Sequence, residues 1–181
     1  MSASEESSSK VSIAIVSAND VDDFWELLEE TMRNEVRAEL FPGQTFIATK
    51  EMIAADVGAM IDPTKYFDGL IARADNKPVG CLIFIKSHSF YDGRCFYMCR
   101  FIVKEDFRGK GIAKQLMIKL AHIAKDENAI IEWLVSDNNP SIGFYHKIGG
   151  KIVSSTTYEG VENCIHHKMK LDHDAINKLI E

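Results

Sequence analysis

Two cations and two glycines within six residues, Arg108-Gly109-Lys110-Gly111-Ile112-Ala113, form the part of this chain best suited to hold an anion. They follow an apolar run, Phe96 to Val103, and the segment Lys104-Glu105-Asp106-Phe107, and they precede a long amphipathic stretch. That order reads as strand, tight turn, helix. In the amphipathic stretch Ile112, Leu116, Leu120 and Ile123 recur at steps of three and four, with Lys114, Lys119 and Lys125 off the stripe, which predicts a helix starting near Gly111. The first turn of a helix carries N–H groups without intrahelical partners, and glycines place no side chain between them and an incoming anion. With Arg108, Lys110 and Lys114 around it, the segment is a candidate phosphate cradle.

Other readings of the same residues can be weighed. A P-loop needs Lys followed by Ser or Thr at the end of a longer glycine loop, and Gly111-Ile112 stands there instead. A dinucleotide fingerprint finds an acid, Glu132, about 20 residues on, but inside the run Ile130 to Val135 rather than at its carboxyl end. A Gly-rich turn with no ligand accounts for the six residues equally well, because short glycine motifs recur by chance. Downstream, Tyr145 offers a phenol with a pKa of about 10, able to give a proton to a leaving group while staying neutral itself. Packed beside Phe144, it is equally an ordinary helix aromatic. Asn138 is placed to cap the helix that Pro140 opens.

The segment Asp137-Asn138-Asn139-Pro140-Ser141-Ile142-Gly143-Phe144-Tyr145, followed by His146-Lys147-Ile148-Gly149-Gly150, changes the balance. With it the chain resembles the GNAT superfamily of acyl-CoA-dependent N-acyltransferases, whose pyrophosphate loop, Arg/Gln-x-x-Gly-x-Gly/Ala, is met by Arg108, Gly111 and Ala113. Within the superfamily, Leu134-Val135, Asn138, Pro140-Ser141-Ile142, Phe144-Tyr145 and Gly149 resemble the spermidine/spermine and thialysine acetyltransferases. The likeness is specific over Phe101 to Gly150.

This resemblance implies acetyl-CoA as acetyl donor, contacted by Phe101, Ile102, Val103, Arg108, Gly109, Lys110, Gly111, Ile112, Ala113, Asn138 and Ser141. It implies Tyr145 as general acid, Glu35 by loose alignment as an attractor of the amine, and a homodimer. It also implies that the strand ending at Val103 and the strand Ile130 to Val135 splay apart, with the pantetheine arm in the gap. One departure stands out. Polyamine enzymes carry a Glu-Asp pair on the strand entering the loop, where this chain has Cys99-Arg100, so a thiol and a cation replace two carboxylates. Arg100 could hold a substrate carboxylate, as an amino-acid-like amine would present, or be an outward-facing charge. The general base is unassigned.

The chain of 181 residues, 46% hydrophobic and 27% charged, suits one globular domain, with residues 1–10 as a polar, Ser-rich disordered tail and 11–181 as the domain. The absence of a long apolar run or a secretory h-region points to a soluble, cytoplasmic protein with no membrane partner. A net charge of −6 argues against nucleic-acid binding and suits cationic small substrates. The scattered Cys81, Cys95, Cys99 and Cys164 read as buried small apolar residues, with no metal expected.

In chain order, alternation from Val11 to Val16 predicts a strand, then a helix over Val21 to Glu39 with Phe24, Leu27, Leu28, Met32 and Val36 on one face. Phe41-Pro42-Gly43 ends it, and Thr49 caps a shorter helix reaching Asp62-Pro63. Strands are expected at Tyr66 to Ala74, Val79 to Phe90, Cys95 to Val103, Ile130 to Val135, Lys151 to Thr157 and Asn163 to Lys170, with a turn at Glu159-Gly160 and a terminal helix capped by Asp172. The sum is an α/β (α+β) fold, a mixed, mostly antiparallel sheet of about seven strands with helices on both faces. The functional expectation is an N-acetyltransferase acting on a primary amine of a small molecule. Alternatives are a peptide or protein N-acetyltransferase and a non-catalytic acyl-CoA-binding relative.

Overall fold

The computed structural model describes residues 10–37, 49–59, 68–157 and 165–181, with the side chains of 31–37, 53 and 56–59 outside that description. All of the proposed tail but Lys10, the break at Phe41-Pro42-Gly43, Asp62-Pro63, the turn at Glu159-Gly160 and Cys164 lie outside the described residues, as do the side chains of Met32, Glu35 and Val36.

Seven strands form one sheet in the order β1-β2-β3-β4-β5-β7-β6: β1 (Val11–Ile15), β2 (Asp68–Ala74), β3 (Lys77–Ser89), β4 (Gly93–Val103), β5 (Ile130–Ser136), β6 (Lys151–Thr157) and β7 (Ile165–Leu171). Every neighbouring pair is antiparallel except β4 with β5. The helices are α1 (Val21–Arg37), α2 (Lys50–Ala59), α3 (Ile112–Asp126), α4 (Ile142–Lys147) and α5 (His173–Ile180).

The helical stripe does what its spacing predicts. Ile112, Leu116, Met117, Leu120, Ala121 and Ala124 of α3 are buried, against a core that includes Leu82, Phe84, Phe96, Met98, Ile131, Trp133 and Met169 from one sheet face. The other face carries a smaller core in which Phe24, Leu27 and Leu28 of α1 meet Ile71, Cys81, Ile83 and Ile102. Thr49 does cap α2, its hydroxyl accepting from the Met52 N–H at 3.3 Å. Asp172 caps α5 through the Ala175 N–H at 2.9 Å.

Two hairpins differ from the expected boundaries for local reasons. Asp75 (φ 48°) and Asn76 (φ 66°) both adopt the left-handed conformation of a two-residue turn, so β3 already begins at Lys77. At the next turn the Ser89 hydroxyl accepts from the N–H groups of Tyr91 and Asp92, at 3.2 and 3.1 Å. That local bonding ends β3 before Phe90.

The departure that matters most lies in β4. Ile83 pairs with Arg100 and Phe84 with Met98, which leaves Cys99 as the extra residue of a β-bulge. Regular alternation would put Arg100 on the face of Phe96 and Met98. The bulge instead sends Arg100 to the α1 face, opposite Ile83, and turns Phe101 toward the α3 face, opposite Leu82. It also exposes Cys99, so the expectation of a buried thiol holds for Cys81 and Cys95 and fails for Cys99.

Candidate active site

The parallel pairing of β4 with β5 stops after three registers, Cys95 with Ile130, Phe96 with Ile131 and Tyr97 with Glu132. Beyond Tyr97 the two strands part, so β4 from Met98 to Val103 presents backbone polar groups toward a gap instead of a partner strand. The bulge at Cys99 sits where the gap opens.

At the far end of β4, the chain passes through a short 3-10 turn (Glu105–Phe107) into the glycine segment. Gly109 (φ +74°) and Gly111 (φ +79°) are both left-handed, and a Cβ at either would meet nothing within 4 Å. The glycines are therefore required by backbone conformation and face open space. Gly111 is the N-cap of α3, and no side chain caps the helix, so its first N–H groups are left for another acceptor. Arg108 folds back to donate its Nε–H to the Val103 carbonyl at 3.1 Å, tying the loop to the end of β4. Lys110 lies over the Phe107 ring, 4.9 Å from its centroid, outside the cleft lining.

A cleft of about 1130 Å³ joins these pieces. One wall is Phe101, Ile102 and Val103, the next the loop from Phe107 through Arg108, Gly109 and Gly111 to Ile112, Ala113 and Lys114. Opposite stand Asn139, Pro140, Ser141, Phe144 and Tyr145, and the remaining wall draws on Lys147, Lys151, Asp174, Lys178 and Leu179. The residues expected to contact the donor are thus brought together, except for Lys110 and Asn138, and of those expected at the substrate Cys99 and Arg100 are not among the lining residues either. Asn139 takes the place of Asn138. Its carboxamide oxygen accepts from the Ser141 N–H at 2.8 Å, and Ser141, not Asn138, is the N-cap of α4. Sequence reasoning passed over the α5 wall, because nothing local to Lys178 or Leu179 signals that their helix packs against α3.

Tyr145 sits on the buried side of the cleft, 7% exposed. Its ring lies 5.0 Å from Trp133, 5.6 Å from Phe144 and 6.4 Å from Phe101, centroid to centroid. Behind it, a Cβ on Gly150 would come within 2.7 Å of the Tyr145 carbonyl oxygen and 3.0 Å of the Trp133 ring, so only glycine lets the chain pass that close. Burial pushes the Tyr145 phenol up to about 12. It stays protonated across the whole range in which an enzyme works. Glu35 lies on α1, its side chain outside the described residues.

The chemistry of the cleft suits an elongated anion with an apolar arm. An uncapped helix end beside open glycines faces its phosphates, the cations of Arg108, Lys114, Lys147, Lys151 and Lys178 line its walls, and the aromatic floor ends on a phenol. Among the described residues no metal-binding cluster exists, and no helix is long and apolar enough to cross a membrane.

Comparison with known proteins gives the same site a lineage. Residues 22–150 match the acetyltransferase (GNAT) family. A thialysine N-epsilon-acetyltransferase from Caenorhabditis elegans is 28% identical over 137 residues, covering 75% of this chain and 78% of that protein. Among solved structures, Arabidopsis thaliana Naa50 in complex with the bisubstrate analogue CoA-Ac-MVNAL is similar with a TM-score of 0.62 at 20% identity, covering 90% of this chain and 98% of that one. The PaiA N-acetyltransferase of Thermoplasma acidophilum, in complex with coenzyme A, has a TM-score of 0.65 at 18% identity over 90% of this chain and 99% of the other. The chain belongs to the acetyltransferase (GNAT) family, and it is an acyltransferase.

Proposed function

We propose that the protein transfers the acetyl group of acetyl-CoA directly to a primary amine of a small molecule, with Tyr145 as general acid. The observation that carries this reading is the meeting, in one cleft, of the uncapped N-terminus of α3 and the buried, protonated phenol of Tyr145. The loop from Arg108 to Ala113 takes the pyrophosphate, and β4 beyond Tyr97, where it has parted from β5, lines the path of the pantetheine arm. The neutral amine adds to the carbonyl carbon. The nitrogen, cationic after addition, releases its surplus proton to water, and as the C–S bond breaks the Tyr145 hydroxyl gives its proton to the departing sulfur and recovers one from solvent.

Deprotonation of the acceptor is a real part of the barrier, since a primary alkylamine has a pKa of about 10.4 and only about one molecule in a thousand is neutral near pH 7. The similarity to a thialysine-acetylating enzyme supports a small amine over a peptide, and Cys99-Arg100 in place of two acids argues for an amino-acid-like amine over a polyamine. We also read the protein as a cytoplasmic homodimer. The deciding experiment follows free thiol release from acetyl-CoA against polyamines, lysine analogues, amino acids and peptides. Turnover with lysine analogues is expected. Turnover confined to peptides would overturn the small-amine assignment.

A further inference from the structure

One buried acid takes no part in the chemistry above. Glu132 is 6% exposed, the one buried charged residue among those described. It is the last residue of β5 to pair with β4, opposite Tyr97, so it stands at the crotch where the two strands begin to part. Its neighbours Ile131 and Trp133 belong to the α3 core, which sends the Glu132 side chain to the other face, the face that also receives Arg100. There Oε2 meets the Lys168 ammonium at 2.9 Å and accepts from the Cys95 thiol at 3.4 Å.

The partner is informative. Lys168 Nζ is a primary alkylammonium, the group that a primary-amine acceptor presents, and the Lys168 side chain is 39% exposed. Leu134, next on the same face of β5, is 41% exposed, so the surface beside the pair is open to solvent. Tyr145 and Phe101 of the cleft belong to the α3 core, whereas Glu132 lies on the α1 face, so on the reading that acetyl-CoA fills the cleft the α1 face is the side left for the acceptor. A carboxylate at the crotch on that face supplies the negative charge that Cys99-Arg100 lacks.

We propose that Glu132 is the ammonium-binding residue of the acceptor site, and that Lys168 occupies it in the free enzyme as an internal stand-in which the incoming amine displaces. The assignment rests on the acetyltransferase reading above and adds where the amine is held. It makes the two members of one ion pair act with opposite sign: Glu132 is required for amine binding, whereas Lys168 competes with it. A pair that merely fastens β5 to β7 would make the two variants act alike.

The test compares Glu132→Gln and Lys168→Met with the wild type, measuring the KM of the best amine, kcat, and the Kd of acetyl-CoA. Glu132→Gln is expected to raise the amine KM about tenfold or more, with acetyl-CoA affinity within about twofold. Glu132→Asp should recover part of the loss. Lys168→Met is expected to lower the amine KM, and in the presence of coenzyme A the amine should raise the melting temperature of Lys168→Met more than that of the wild type. If Glu132→Gln does not fold, Lys168→Met alone decides. An amine KM that is unchanged or raised in Lys168→Met, or unchanged in a folded Glu132→Gln, overturns the proposal while wild-type turnover keeps the enzyme reading intact. A wild type that binds acetyl-CoA and acetylates no amine overturns both.

Discussion

On the α3 face of the gap the protein holds its ligand largely with backbone; on the α1 face it offers side chains. The donor cleft is made from a helix N-terminus, two left-handed glycines and the strand edge that has parted from β5, all produced by one continuous stretch from β4 into α3. The α1 face, where we place the acceptor, collects Arg100 from β4, Glu132 from β5 and Lys168 from β7, far apart in the chain. Backbone recognition of a phosphate requires a fixed conformation and little else, so one cleft can serve a common donor. Side chains are exchanged without disturbing the fold, so the face that distinguishes acceptors is free to vary.

The contrast is broken most severely at Tyr145, the proposed acid of the donor face. Tyr145→Phe removes an oxygen and keeps the ring contacts with Trp133 and Phe101, so folding and acetyl-CoA affinity should hold. The loss belongs to the transition state. A fall in kcat of about 10²- to 10⁴-fold with little change in KM is expected from steady-state kinetics. An equally active Tyr145→Phe enzyme would move the acid elsewhere.

Next in size is the backbone itself. Gly111→Val forces a β-branched residue to φ +79°, costing about 1–2 kcal/mol of stability, and fills the space before the helix end. Gly93→Val supplies the control, since Gly93 has φ +78°, equally open surroundings, and lies at the β3–β4 turn away from the cleft. Both variants should lose similar stability in denaturant melts. Only Gly111→Val should weaken acetyl-CoA by about tenfold or more in calorimetry, a difference of about 1.4 kcal/mol. Equal affinities in the two would detach the glycine loop from the pyrophosphate.

The same division governs what could be read from the sequence. The glycine loop, the stripe on α3 and the Pro-Ser-Ile-x-Phe-Tyr run are local patterns, and the structure brings them together as expected around one cleft. The bulge at Cys99 was not legible, because one extra residue in a strand leaves no mark on an apolar run and yet reverses which face Arg100 occupies. Asn139 was missed in favour of its neighbour because two adjacent asparagines are equivalent until the turn geometry is known. Glu132 looked like an acid misplaced in a strand, and its partner lies 36 residues on, in a strand whose order in the sheet (β5-β7-β6) departs from chain order.

A third test asks for something that does not happen. Burial raises the Tyr145 phenol to about 12, above its value of about 10 in an unfolded chain. The folded state therefore holds the proton more tightly, and the stability this contributes is complete below about pH 10 and lost as pH rises toward 12. Within the working range the acid stays loaded. Activity with a primary amine should accordingly climb from about pH 7 to about pH 10 as the amine loses its proton, with no alkaline limb from the acid. A decline in kcat setting in near pH 9 would mean that the proton donor is a more acidic group.

The smallest effect concerns the wall that local sequence did not announce. Asp172 caps α5, which contributes Ala175, Lys178 and Leu179 to the donor cleft, and its other oxygen accepts from Lys151 Nζ at 2.7 Å. Two functions meet on one carboxylate, and two substitutions separate them. Asp172→Ala removes both and should cost about 1 kcal/mol, the usual worth of an N-cap. Asp172→Asn keeps an oxygen for the Ala175 N–H and gives up only an ion pair whose lysine is 65% exposed, so it should stay closer to the wild type. The hydrogen bond from Lys151, followed by that from Ala175, holds the Asp172 carboxyl below its ordinary value. Its stabilising contribution is therefore present above the unfolded carboxylate pKa of about 3.9 and lost as pH falls through the depressed one. Thermal melts from pH 7 down to about pH 3 should show the gap between wild type and Asp172→Ala closing only at the acid end. If the cap matters to the cleft as well as to the helix, Asp172→Ala should weaken acetyl-CoA by a few-fold while Asp172→Asn does not; equal affinities in all three would leave α5 a wall whose order the donor does not need.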